Sequence, residues 1–546
     1  MVVGFRRGGL PRPRSGGLLL VASLGTAMVL SACGGTKGGA ATTPTTSANF
    51  DDNASVTFAG SLVGQDLDPY KAGGTVEGVI DIYDPLIRPQ VDLTTKPSLA
   101  TEWSWSPDNL KLTLKLRQGV TFSDGTPFDS SAVVASVNRA RSGSTSLQKN
   151  SLASITDVKA DGTDKAVITV SRPDPTLVSV LSSPAGSIIN PKMIDNQDAI
   201  LKGAKGVGTG PYVVEKFQPS TVVVLTKRTD YWDQDSIKHA PAKFTYQYTL
   251  DGNARLNGLK SGEYQGVQST GTPGLNGPGG LPQVDKSFAD TRVPGFSTMG
   301  MSFAFKPPFE KVEVRQAVSH AINFASLVPS VLDDEMNCDA TPVSQLSRPD
   351  QIGYNPDAKL PAYDLNLAKQ LMTQAGYPDG KGFPAVTITS TTASKDVVAA
   401  QAFQPELAKI GIQMAINEQP SRVYTVAQLT AGKAQMITTN LTNGGGIDPA
   451  LGYNTGILAP PTYVDVASAA GKQYQSLVQQ AALEPSTEKR TGLYRQAETL
   501  AADNAFYIPF CRLKNGFAHT VKVAGFDKDF WILYGAVKAS AVTVTK

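Results

Sequence analysis

Few side chains in this 546-residue chain are of a type and spacing that could carry out covalent or metal chemistry. The three histidines, His239, His320 and His519, lie far apart, without an HExxH pair or the carboxylate spacing of a metal site. His320, between Ser319 and Ala321 in an amphipathic run, reads as structural. Ser146-Leu147-Gln148-Lys149, Ser136-Val137-Asn138 and Lys260-Ser261-Gly262 superficially match the motifs of serine acyl-transferring enzymes. The SxN precedes the SxxK, however, and Ser146 sits in a polar stretch rather than opening an apolar helix. No GxSxG elbow occurs. These observations lead us to expect no catalytic residue, metal or cofactor; a secreted, lipid-anchored hydrolase is the competing reading from another class.

That leaves the three cysteines, Cys33, Cys338 and Cys511. Cys33 closes an opening segment in which Arg6, Arg7, Arg12 and Arg14 precede an apolar run from Leu18 to Leu30. A run of about 13 residues is too short to span a hydrocarbon core of roughly 30 Å as a helix, and the order of charge, apolar run and small residues is that of an export signal. Leu30-Ser31-Ala32-Cys33 resembles the bacterial lipobox, in which the cysteine is acylated and becomes the new N-terminus. The expectation is a lipoprotein signal peptide over 1–33, lipidation at Cys33 and a flexible linker over 34–55, where almost no large apolar side chain occurs. The body of the chain would then be exported and held on the outer face of the cell membrane, periplasmic or within the cell envelope. Cys338 and Cys511 are even in number in an oxidising compartment, so a disulfide and two buried thiols both remain open.

Composition limits the partners. Fifty lysines and arginines face 47 acidic residues; loss of the four arginines with the opening segment leaves 46 against 47, a charge of −1. Nucleic-acid binding, which draws on a basic surplus, is not expected. At 41% hydrophobic residues the remainder can support two or three domains.

Strand and helix signals alternate irregularly. Residues 110–116 alternate apolar and polar as a half-buried strand does, and 166–170, 221–226 and 244–250 are further β-rich runs. Val314, Ala317, Val318, Ala321, Ile322 and Ala325 share one helical face. Asp364 is placed to cap a helix ending before Gly376, Asp129 caps another that carries Val133, Val134 and Val137, and a third runs from about Val397 to Ile410 and stops at Gly411. Arg315, on the polar side of its helix, is expected to pair with a neighbouring carboxylate.

Several ordered stretches resemble the extracellular solute-binding proteins, family 5, of ATP-binding-cassette importers, the dipeptide and oligopeptide-binding class. They are VEGVIDIYDPLIR (76–88), the block 97–140 containing LRQGVTFSDGTP, GTGPYVVEKF (208–217), KRTDYWDQ (227–234), GLKSGEYQGV (258–267), PPFEKVEVRQAVSHAIN (307–323), YDLNLAKQLMTQAGY (363–377) and ELAKIGIQMAI (406–416). The resemblance implies an α/β, two-lobed periplasmic-binding-protein-like fold (type II, cluster C) with an extra subdomain in lobe one. Lobe one would comprise 56–300, with the insert at about 90–205, plus a return over 516–546; lobe two would comprise 301–515. It further implies a monomer that closes on a peptide or other small-molecule ligand and delivers it to ABC permease and ATPase subunits.

In dipeptide-binding relatives an aspartate in a W-x-x-D-x-x-D-P segment holds the peptide ammonium group. Here Asp448-Pro449 matches the end of that pattern, but Gly445 stands at the amine-binding position and Thr442 at that of the tryptophan. The position of the carboxylate-binding arginine falls near Ser390. Since an unpaired buried charge costs several kcal/mol, the expectation is a neutral or end-blocked solute, read by Thr389, Ser390, Thr391, Asn440, Thr442 and Asn443 and by the backbone of Gly444, Gly445 and Gly446. Arg422 or Asp448 supplying charge from a shifted position is the alternative, as is a same-fold carrier for a sugar, opine or chelate. Tyr424, Tyr453 and Trp531 are candidates for the cleft wall.

Overall fold

The computed structural model describes residues 49–61, 64–71, 77–269, 272, 274–275, 280–332, 337–359, 361–392, 396–420, 422–442, 448–449 and 463–546, without the side chains of residues 340, 342, 422, 423 and 442. The opening segment, the linker up to residue 48, Asn443, Gly444, Gly445, Gly446 and Tyr453 lie outside them.

One sheet of eleven strands organises residues 49–546. In chain order these are β1 (Ser55–Gly60), β2 (Tyr212–Gln218), β3 (Val222–Lys227), β4 (Lys243–Tyr248), β5 (Gly266–Gln268), β6 (Phe288–Phe303), β7 (Cys338–Pro342), β8 (Val386–Thr391), β9 (Met414–Gln419), β10 (Met436–Thr442) and β11 (Tyr507–Thr520). Across the sheet they run β9-β8-β10-β6-β11-β5-β1-β4-β3-β2, with β7 against β11. The pairs of β1 with β4 and β5 are parallel, as are those of β8 with β9 and β10. Such pairs need long crossover connections, usually helical, which is why helices at Gly252–Ser261, Asp396–Ala408 and Arg422–Thr430 alternate with these strands. A separate four-stranded antiparallel sheet, built from Ala100–Trp105, Lys111–Leu116, Ile155–Ala160 and Lys165–Val170, packs on the helix Ser130–Ser142. Its strands bury alternate residues, Leu112, Leu114 and Leu116 among them.

The long strands β6 and β11 belong to both halves of the sheet. Beside them, one large core gathers residues from Val56 to Phe296 together with 517–542, while two others are built from residues between Met299 and Cys511. The β6/β11 register is regular from Phe288–Thr520 to Pro294–Lys514, then shifts before Thr298–Arg512. The extra residues on β6 form a bulge between the two groups of cores. Gly295 lies in it, and a Cβ there would come within 2.7 Å of Asn515 Nδ2.

The stretches that resemble family 5 are occupied with holding the fold. Asp84 is a buried hub, accepting hydrogen bonds from Tyr231 Oη and Trp232 Nε1 at 2.9 Å each and from Thr209 Oγ1 at 3.2 Å, with Arg88 3.5 Å away. Buried Arg228 donates to the carbonyls of Thr209 and Gly210. At Gly208 a Cβ would sit 2.1 Å from the Ile82 carbonyl oxygen, so only glycine allows this approach. Asp124 Oδ1 accepts from Thr126 N inside its turn, and Asp129 and Asp364 cap their helices by accepting from Ser131 N and Leu367 N.

Two expectations need correction. The helix over 314–325 stops at Ala321, because Ile322 is extended and Asn323 caps a new, short helix, Phe324–Leu327. Among the described residues Arg315 pairs with no carboxylate: its guanidinium donates to the carbonyls of Phe309, Glu310, Asn504 and Ala505. Helix ends leave carbonyls without intrahelical partners, and Arg315 collects those at the end of the helix Thr487–Asp503. Burial lowers its pKa to about 10. Cys338 and Cys511 are joined, with Cα atoms 5.5 Å apart, tying β7 to β11.

The C-terminal return docks on a buried carboxyl. Tyr246 Oη is 2.7 Å from Asp81 Oδ2 and 2.8 Å from the Val537 carbonyl, while Ala539 N and Ser540 N point at the two oxygens of Asp81. One hydroxyl proton cannot serve both acceptors. A protonated Asp81 donating to Tyr246 releases that hydroxyl for Val537. Burial pushes the Asp81 pKa up to about 6, against the opposing influence of Lys538. A carboxyl whose folded pKa is raised binds a proton more tightly in the fold than in the unfolded chain, so stability falls as pH rises from about 4 to about 6. Equilibrium urea unfolding should show a loss on the order of 3 kcal/mol across that window, and Asp81→Asn should remove most of it; an unchanged pH profile in the variant would exclude the assignment.

Candidate functional site

Strand direction locates the site. β5 runs antiparallel to β11, pairing Gly266 with His519 and Gln268 with Phe517, so its C-terminal end points toward the bulge. Being parallel to β5, β1 points the same way, and so does β4. From the other side, β10 runs antiparallel to β6, with Met436 opposite Phe303 and Thr442 opposite Ser297, so β10 also ends at the bulge. Its parallel neighbours β8 and β9 follow. The C-terminal ends of the parallel strands of both halves therefore approach the same crossover, and it is outside such ends that open α/β sheets bind ligands.

On the first side the ends are polar and mutually held. Ser61 N and Oγ both donate to Gln268 Oε1, at 3.0 and 2.6 Å, and Ser269 Oγ donates to Asp290 Oδ1. On the second side, the hydroxyls expected to read a solute are turned into the sheet. Ser390 Oγ bonds to Thr438 Oγ1, and Thr389 Oγ1 accepts from Asn417 Nδ2 at 3.3 Å. Thr389, Ser390 and Thr391 are all buried. Asn440 lies opposite Met299 and Thr442 opposite Ser297 in the ladder. Arg422 opens the helix that follows β9, and Tyr424, 55% exposed, lies at that helix's start on the side of the strand ends.

Asp448 is not available to a solute ammonium group. It is 3% exposed and forms an ion pair with buried Arg490, Oδ2 to Nε 3.1 Å, while Tyr494 is hydrogen-bonded to it. The sequence pattern identified it as the residue before a turn proline, and its partner lies 42 positions away on the helix Thr487–Asp503.

Residues at the crossover were missed by the sequence reading. Phe296 on the bulge packs against Tyr534 at 5.0 Å and Phe530 at 5.9 Å, and Arg348 stacks on its ring at 5.3 Å. Arg348 also donates to the Pro294 carbonyl and is anchored by Asp350 at 2.7 Å. Trp531 is only 8% exposed, whereas Tyr534 is 44% exposed and is the aromatic that the return segment presents at the crossover. The aromatic-rich run Phe530–Tyr534, from which the sequence reading took only Trp531, was the available signal. Ser146 Oγ donates to the Ala140 carbonyl and Lys149 Nζ to that of Ser144, so the two are engaged by backbone rather than by one another. Among the described residues no group of three His, Cys, Asp or Glu could hold a metal ion.

Comparison with known proteins agrees with this geometry. A family model described as bacterial extracellular solute-binding proteins, family 5 Middle, matches residues 94–456. The glutathione-binding protein GsiB of Salmonella paratyphi A is 28% identical over 480 residues, covering 86% of this chain and 90% of the relative. Among solved structures, NikA from Brucella suis in complex with Fe(III)-EDTA superposes with a TM-score of 0.79 at 21% identity, over 90% of this chain and 100% of that one. DppA from Helicobacter pylori in complex with the peptide STSA gives 0.71 at 23% identity, over 91% and 99%. These neighbours share the two-lobed α/β architecture.

Removing one partner of a buried ion pair strands the other charge. Asp448→Asn should therefore cost roughly 3 kcal/mol of stability, measured by urea unfolding, and an unfolding free energy within 0.5 kcal/mol of the wild type would show that Arg490 does not depend on it.

Proposed function

Since the chain belongs to the bacterial extracellular solute-binding proteins of family 5, we propose that it captures a peptide or peptide-like solute at the crossover between its two halves and presents it to the permease and ATPase of an ABC importer. The observation that carries this is the convergence of both sets of parallel strand ends on one bulged pair of shared strands. Contacts to both sides exist together only in a closed arrangement, so a solute bound there shifts the population toward closure. Binding, rather than turnover, is the whole of the activity in this reading.

Residues 1–33 act as a lipoprotein signal, Cys33 carries the acyl anchor and the following residues form a tether. A tethered monomer stays beside its permease at high effective concentration. The domain limits are those of the resemblance, 56–300 with 516–546 against 301–515, and the register shift at Pro294–Thr298 supports a hinge near that boundary.

Solute selection follows from what the site offers. Asp448 is committed to Arg490, and glycine stands at 445 where dipeptide-binding relatives use aspartate. The amino end of the solute is therefore uncharged or blocked, with Tyr424 and Tyr534 as the aromatic surfaces against which it packs. Relatives named for glutathione and for a peptide set the first panel.

Titration calorimetry with free and N-acetylated di- to tetrapeptides and with glutathione, coupled to small-angle scattering, tests this. N-acetylation should preserve affinity, binding should shrink the radius of gyration, and Tyr534→Ala should weaken it about tenfold, the equivalent of about 1.4 kcal/mol. Submicromolar binding of free dipeptides abolished by acetylation would overturn the uncharged amino end; catalytic consumption of a solute without compaction would overturn the carrier.

A further inference from the structure

A cavity lies against the crossover, and none of its wall residues is one of the strand ends described above. Its volume is about 580 Å³, within the roughly 300 to 1,000 Å³ of small-ligand pockets, and Pro294, Ser347, Arg348, Asp350, Tyr354 and Arg512 contribute to its wall. Arg512 sits on β11 opposite Thr298, immediately beyond the bulge, and is 5% exposed.

The guanidinium is half used. Nη2 donates to the carbonyls of Leu346 and Ser347, at 3.1 and 3.2 Å, which holds the segment after β7 in place. Nη1 is buried and has no hydrogen-bond partner, and Ser347 Oγ, on a residue 1% exposed, has none either. No carboxylate of the described residues lies within ion-pair distance of Arg512. Asp350 is engaged by Arg348 at 2.7 Å, and Asp339, also in the wall, accepts from Thr341 N in its own turn. A buried guanidinium without a counter-charge beside a roomy, largely apolar cavity is an incomplete ion pair. Burial, and after it the like charge of Arg348, lower the Arg512 pKa to about 10, which still leaves the group cationic near neutrality.

We propose that this cavity binds a small organic carboxylate, with Arg512 Nη1 and Ser347 Oγ as its donors. One free guanidinium nitrogen with one hydroxyl matches a single carboxylate group. Because Pro294 borders the bulge and the rest of the wall belongs to the second half, and because Arg348 holds the Pro294 carbonyl, occupancy is coupled to the geometry of the crossover. The site is independent of the solute reading and can exist without it.

The test is titration calorimetry of the purified protein with sodium acetate, sodium glutarate and inorganic phosphate, at ionic strength matched with sodium chloride. Glutarate or acetate should bind saturably, at least tenfold more weakly to Arg512→Gln and about threefold more weakly to Ser347→Ala. Circular dichroism checks that each variant is folded; should Arg512→Gln fail to fold, Ser347→Ala and Arg512→Lys, which retains the charge but loses the fork, carry the comparison. Absence of saturable binding by both carboxylates, binding of phosphate alone, or carboxylate affinity unchanged in the folded variants would each overturn the proposal.

Discussion

Two strands that belong to both halves of the molecule, β6 and β11, are the constraint on which the remaining architecture depends. Each half needs an edge on which to build its parallel strands, and the shared pair supplies one to each: β5 joins β11 on one side and β10 joins β6 on the other. Antiparallel pairing to strands that run through both halves forces the neighbours of each half to end at the junction. Helices follow the ends of β4, β8 and β9, because a parallel strand can be reached again only by crossing over a face of the sheet. A cleft lined by strand ends and helix starts is thus a consequence of connectivity.

The junction combines irregular backbone with well-packed side chains. Extra residues on β6 interrupt the ladder between Pro294 and Thr298. Around that interruption Phe296 is enclosed by Phe530, Tyr534 and Arg348, and Asn515 Nδ2 donates to the Ile532 carbonyl. The ladder shifts register again between Met299 and Gly300, so resistance to bending is lowered over a short stretch, while side chains from three distant segments limit where the bend can go.

Much of what makes the sequence resemble its family lies away from this junction. The Asp84 hub with Tyr231, Trp232 and Arg88, the Arg228 clamp and the close approach at Gly208 all secure the half that carries the four-stranded insert. Likeness in these stretches therefore reports the fold faithfully and the solute poorly. It explains how relatives named for glutathione, a peptide and a metal chelate can share one architecture.

Local chemistry was legible from residue order. Asp129 and Asp364 as helix caps, the alternating strand at 111–116, the turn at Asp124 and the stop at Gly411 depend on neighbours within a few positions. Order alone also determined the export-like opening, the near-neutral charge and the glycine at 445. Tertiary structure decided the rest, because burial and partnership join residues far apart in the chain. It gave Arg315 four backbone carbonyls instead of a carboxylate, turned Thr389 and Ser390 into the sheet, paired Asp448 with Arg490 and left one nitrogen of Arg512 unmatched. A charge or hydroxyl has the same letter in the sequence whether it is satisfied or free, and only the fold distinguishes the two.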